Sequence, residues 1–261
     1  YANVKANQRI MDIDGVDNLF VHPAMGDGGL PLGGALKYSV ETAGYPRPDF
    51  VTCYAGPEPC EDDIEEELRN NGFKYERIRG QEKIDRTVEL LANEKVVGWF
   101  QGRMEFGPRA LGHRSILYHP FDRDVNDWLN KRLRRTEFMP FAPATIEELA
   151  SECYIGWRPD HVAARFMTIC YDCTEKMRYN SPAVVHIDGT ARPQIVRRDN
   201  NPEYHDVIKA FHTKTGGLSV INTSFNQHEE PIVAAPKDAV ASLLNDNVDV
   251  LVIGDYLAER V

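Results

Sequence analysis

The 261-residue sequence predicts an α+β fold, a mixed twisted sheet with flanking helices. Three observations support it. Short apolar runs bounded by turn residues recur as strand signals. Helical spacing of apolar residues recurs between them. Strands and helices do not alternate strictly, as a doubly wound parallel sheet would require.

The elements follow in order. Residues 17–21 read as a short strand. The glycine-rich run Gly26-Asp27-Gly28-Gly29, with Gly33 and Gly34, leads into a small-residue helix over 35–42. Glycines at a strand-to-helix turn admit a nucleotide to the backbone, but the spacing is neither GxGxxG nor a P-loop, so a tight turn competes. Pro46 and Pro48 enforce extended backbone. A strand over 51–54 and an acidic helix over 61–70 come next, with Ile64 and Leu68 on one face and Gly72 as the stop. Ile84, Val88 and Leu91 mark a helix, and 96–100 a strand. Val125, Trp128, Leu129 and Leu133 mark another helix, with Arg134 and Arg135 at its C-terminal end. Further on, 165–173, 184–187, 194–196, 218–221 and 248–253 read as strands. Residues 202–213 and 236–244 read as helices, the latter with Pro at its first turn.

Composition bounds the function. Hydrophobic residues make up 42% and charged residues 27%, enough for a substantial core. No apolar run reaches the roughly 20 residues of a membrane span, and no basic-then-apolar segment of the export-signal type is visible in the sequence. A formal net charge of -10 opposes general nucleic-acid binding. Residues 103–135 run the other way, with eight basic against four acidic side chains, which suits a small anionic ligand. Five scattered cysteines, an odd number, fit reduced thiols in a cytoplasmic setting. Cys170 and Cys173 form a CxxC pair without a second pair at metal spacing, and a strand there would turn their sulfurs to opposite faces.

Three constellations carry chemistry. Arg103, Arg109 and Arg114 lie in a segment interrupted by Gly102, Gly107 and Gly112 and closed by Ser115. Guanidiniums grip phosphate or carboxylate oxygens in pairs, and glycines let backbone amides approach an anion. Asn222, Thr223, Ser224 and Asn226 place amides and hydroxyls at a strand end, where bland capping would look similar. His186 and Asp188 share a face of the expected strand, either as a proton-transfer pair or as a structural hydrogen bond, with Arg192 nearby. No Gly-x-Ser-x-Gly elbow and no HExxH is present. The residues therefore indicate a pocket for a phosphorylated or adenylated ligand, working by charge neutralisation and positioning.

The ordered motifs GRMEFGPRALGHRSIL (102–117), PFAP (140–143), HIDGTARPQ (186–194) and NTSFNQHEEPIV (222–233) resemble those of the nodulation-protein U and cephem carbamoyltransferase family. Residues 1–38 resemble the end of that family's preceding domain, so the likeness covers almost the whole chain. The resemblance implies that residues 1–45 are the remnant of an actin-like ATPase-fold domain, 46–79 a connecting segment, and 80–261 a YrdC-like domain. It implies an O-carbamoyltransferase that uses ATP and carbamoyl phosphate to form a carbamoyl-adenylate, transferred to a hydroxyl of a sugar or natural product. By it, Arg109, Arg114, Arg134 and Ser224 are catalytic. Arg103, Ser115, Arg135, His186, Asp188, Arg192, Asn222, Thr223 and Asn226 bind the ligands. Asp27 is a carboxylate ligand to a divalent metal, iron or magnesium, whose histidine ligands lie upstream. The start at Tyr1 rather than Met is read as a fragment, so the upstream domain is an expected partner and the chain alone is expected to be incomplete. Nucleic acid and membrane are not expected partners. Met139 stands where the family carries an arginine before PFAP. A catalytically silent nucleotide- or anion-binding module is the alternative reading.

Overall fold

The computed structural model describes residues 2–46, 50, 52–136 and 140–260, so Met139 lies outside the described residues. Strands β1 (Lys74–Arg77), β2 (Val97–Phe100), β3 (Arg114–Tyr118) and β4 (Ala142–Ile146) precede the short pair β5 (Tyr171–Asp172) and β6 (Thr190–Ala191). Then come β7 (Gln194–Val196), β8 (Val220–Ser224), β9 (Val250–Ile253) and β10 (Tyr256–Glu259). Eight of these form one sheet in the order β1-β10-β9-β2-β3-β8-β4-β7, while β5 and β6 pair separately. Two contacts, β9 with β2 and β4 with β7, are parallel; the other five are antiparallel. This is the mixed sheet with flanking helices that the sequence predicts.

The helices are α1 (Val4–Met11), α2 (Leu30–Lys37), α3 (Glu61–Asn70), α4 (Gly80–Ala92), α5 (Val125–Arg132), α6 (Glu147–Cys153), α7 (Glu175–Asn180), α8 (Pro202–Thr215) and α9 (Pro236–Leu244). Helix α4 packs on α8, and α3 on α9. Every residue of β2, β3, β4 and β9 is buried, as in strands covered on both faces. The core runs through Trp99, Phe100, Phe141, Tyr204 and Phe211.

Register positions the site. The start of β3, the end of β8 and the starts of β4 and β7 meet at one rim of the sheet: Ser115 pairs with Ser224, Asn222 with Ala142, and Ala144 with Gln194.

Helices over 61–70 and 236–244 and the strand over 194–196 form at the expected bounds. The expected helix over 35–42 begins earlier, as α2, and ends in a π turn over Tyr38–Thr42. No strand forms over 17–21 or 52–54. The expected strand over 165–173 gives way to a 3-10 turn over Val162–Phe166 and a left-handed Met167 (φ 55°), leaving only β5. Helix α1 takes up two of this segment's backbone groups. The Asn7 amide donates to Thr168 O (2.7 Å), and Cys170 N donates to Val4 O (3.3 Å). Both CxxC cysteines are buried. The expected strand over 184–187 is a single 3-10 turn (Pro182–Val184) followed by a tight turn closed by His186 N donating to Thr190 O (2.7 Å).

Candidate functional site

A small polar cleft of about 50 Å³ opens at the rim just described. Arg109, Arg135, Arg192, Asn222, Thr223 and Ser224 line it, over an apolar floor that includes Pro108, Ala110, Ala142 and Met167. Three arginines stand here with no acidic side chain among the lining residues. Burial lowers the proton affinity of all three: Arg135 and Arg192 are pushed down to about 10, Arg192 also by the charge of Arg109. The Nε atoms of Arg109 and Arg192 are buried without a hydrogen-bond partner. Half-buried cations without counter-charge are costly, and a bound oxyanion supplies that counter-charge.

Each arginine has a local reason for its place. Arg134 takes a left-handed turn (φ 54°) at the end of α5, which sends the next residue inward. Arg135 then donates to Thr223 Oγ1 (3.0 Å) and lies over the Phe141 ring at 5.6 Å. Arg192 follows β6, and Arg109 sits in the glycine-rich loop.

Asn222 is central. Its Nδ2 donates to Ala110 O (3.1 Å) and Gln194 Oε1 (2.7 Å), which fixes the amide, and Gln194 donates onward to Leu111 O (2.6 Å). Asn222 Oδ1 is left buried without a donor. Asn222, Thr223 and Ser224 belong to β8 itself rather than to a loop after it.

Other predicted site residues lie elsewhere. Arg114 is fully buried, donating to the carbonyls of Gln101 (2.6 Å), His113 (3.0 Å), Gly102 (3.0 Å) and Pro57 (3.4 Å), with its guanidinium 3.6 Å from the Phe100 ring centre. It is a brace, with burial pushing it down to about 10. Arg103 donates to the carbonyls of Gly56 (3.2 Å) and Ala55 (3.4 Å). Ser115 accepts from Gly112 N (3.0 Å), inside the loop. Arg134 is exposed and outside the cleft lining. Asn226 donates to Gln227 O and Glu230 O, both at 2.8 Å, bracing its own loop.

His186 and Asp188 occupy the turn before β6, where neither lines the cleft. Asp188 accepts from Thr190 Oγ1 (2.6 Å) and pairs with Lys5 (2.8 Å); these contacts hold its carboxyl well below the usual range. His186 approaches Thr190 Oγ1 at 3.3 Å, and burial lowers its proton affinity. Asp27 is exposed in a 3-10 turn, and no group of three or more His, Cys, Asp or Glu among the described residues could hold a metal ion. Asp27 alone does not make a divalent-metal site.

Two residues escape a reading of the sequence. Gln194 joins Asn222 to the loop, and Glu105 fills the loop's interior: its Oε1 accepts from the backbone N–H of Leu111 (2.6 Å), His113 (2.8 Å) and Arg114 (3.2 Å). A lone acid among glycines and arginines was the available signal for Glu105.

Residues 88–260 match the family model described as "Carbamoyltransferase C-terminus". The chain belongs to this carbamoyltransferase family. It is 39% identical over 261 residues to nodulation protein NolNO of Sinorhizobium fredii, covering 99% of this chain and 38% of that protein. It is 30% identical over 246 residues to the 3'-hydroxymethylcephem-O-carbamoyltransferase of Amycolatopsis lactamdurans, covering 93% of this chain and 44% of that enzyme. The chain thus spans less than half the length of these curated relatives. Among solved structures, T. kodakarensis HypF is similar at a TM-score of 0.46 and 15% identity, over 76% of this chain and 26% of that one. Among the described residues of this carbamoyltransferase-family chain, no helix is long and apolar enough to cross a membrane.

Proposed function

We propose that this chain is the carbamoyl-phosphate-activating part of an O-carbamoyltransferase, with Arg109, Arg135 and Arg192 holding the phosphoryl group. One observation carries the reading: three arginines with no acidic neighbour line one cleft together with Asn222, whose buried Oδ1 lacks a donor. Carbamoyl phosphate matches both features, because its phosphate meets the guanidiniums and its NH2 supplies the donor that the buried oxygen lacks. A plain phosphate satisfies only the first.

Electrostatic stabilisation is the chemistry such a site performs. The guanidiniums neutralise charge that accumulates on the phosphoryl oxygens as the bond between the carbonyl carbon and the phosphate oxygen breaks. Water then supplies the oxygen of carbamate while inorganic phosphate leaves. A carbamate oxygen attacks the α-phosphorus of ATP, releasing pyrophosphate and leaving carbamoyl-adenylate. An acceptor hydroxyl takes the carbonyl carbon and AMP departs. The roles of ATP, of a sugar or natural-product hydroxyl as acceptor, and of an upstream actin-like domain rest on the family alone.

Calorimetry tests the reading. Carbamoyl phosphate is expected to bind about tenfold tighter than acetyl phosphate, which carries a methyl where the NH2 would be. Arg109→Ala should weaken both. Absence of binding to the folded chain refutes the proposal. Binding without carbamoyl-phosphate-dependent pyrophosphate exchange into ATP favours the silent anion-binding module.

A further inference from the structure

The loop between Gly102 and Arg114 suggests a cradle whose backbone amides grip a phosphate. Its hydrogen bonds lead elsewhere. The N–H groups of Leu111, His113 and Arg114 all point inward to Glu105 Oε1, and that of Gly112 to Ser115 Oγ. The carbonyls are equally engaged: Ala110 accepts from Asn222, Leu111 from Gln194 and Tyr54, and Gly112 from Trp99. No amide from 111 to 114 remains for a ligand.

Glu105 occupies the place that an anion would take in a backbone nest. It is 5% exposed, and its Oε2 has no partner. A buried carboxylate accepting three N–H bonds is a strong organiser, because charge-assisted bonds are about twice as strong as neutral ones. The Arg114 guanidinium, fixed by four carbonyls around the same loop, lies near enough to interact with its charge.

We infer that Glu105 is a positioning residue: it serves as the loop's internal anion, turns the amides inward, and thereby delivers Arg109 to the cleft. The backbone of 111–114 then contributes shape, and the charge that holds the anion comes from arginine side chains of three elements. This rests on the reading of the cleft as an anion site.

Inorganic phosphate is the probe, titrated by calorimetry into the whole chain. Glu105→Ala should weaken phosphate binding at least tenfold and speed hydrogen exchange at the amides of Leu111, His113 and Arg114. Glu105→Gln keeps an acceptor at Oε1 and should restore affinity to within about threefold. Adding Arg109→Ala to Glu105→Ala should cost little more, because both remove the same interaction; a merely structural loss would add. Should Glu105→Ala fail to fold, Glu105→Asp replaces it: one methylene shorter, it cannot reach all three amides, and phosphate binding should fall. Wild-type affinity in a folded Glu105→Ala or Glu105→Asp chain, with Arg109→Ala impaired, overturns the inference alone. Wild-type affinity in Arg109→Ala, Arg135→Ala and Arg192→Ala overturns the reading of the cleft on which it depends.

Discussion

At the scale of single residues, the arginines divide by what their donors meet. Arg114 and Arg103 donate to carbonyls, while the Arg109 and Arg192 side chains make no hydrogen bond among the described residues. Arg134 and Arg135 are adjacent, yet one is exposed and the other reaches Thr223. Arg134→Gly should leave phosphate affinity unchanged and hold or raise stability by up to ~1 kcal/mol, because glycine adopts the left-handed turn without steric cost. Urea unfolding and calorimetry check both parts, and a large loss of affinity would return Arg134 to the site. Arg114→Lys should cost about 3 kcal/mol, since an ammonium cannot reproduce a planar fork fixed by four carbonyls. That the cleft is arginine-rich was legible in the sequence. Which arginines face it was not, because periodicity cannot separate a guanidinium aimed at a ligand from one aimed at backbone carbonyls.

At the scale of elements, α1 acts as a strap. It engages Thr168 and Cys170 on one side and Asp188 on the other, clasping the segment that carries Met167, part of the cleft floor. Asn7→Ala leaves Thr168 O without this donor and should cost about 1–3 kcal/mol in urea unfolding. The Asp188 carboxyl is held below its ordinary range, so its contribution is complete above about pH 4 and is lost as pH falls. Asp188→Asn should therefore show a smaller loss of stability between about pH 4 and pH 2 than the unaltered chain; equal slopes would mean that the Lys5 pair contributes nothing. The strap also explains what pattern reading misses. Helices α3, α8 and α9 carry their apolar stripes locally and were legible, as was β7. Residues 165–173 look like a strand, but Thr168 O and Cys170 N are held by the distant helix α1, and β1 (Lys-Tyr-Glu-Arg) is a polar edge strand with no apolar signal.

At the scale of the molecule, an acidic chain concentrates uncompensated positive charge in one cleft. That arrangement opposes folding until a ligand arrives, and stability and function should trade against each other. Arg192 is the sharpest case, desolvated and repelled by Arg109. Arg192→Met keeps the packing and removes the charge. The ligand-free chain should gain about 1 kcal/mol, a rise in Tm of roughly 2–4 °C for a chain of this size. The unaltered chain should in turn be stabilised by about 2.7 kcal/mol at a phosphate concentration one hundred times Kd, and Arg192→Met should lose most of that response. Thermal unfolding with and without phosphate reads both effects. A lower Tm with an undiminished phosphate response would show that Arg192 braces the fold and takes no part in binding the anion.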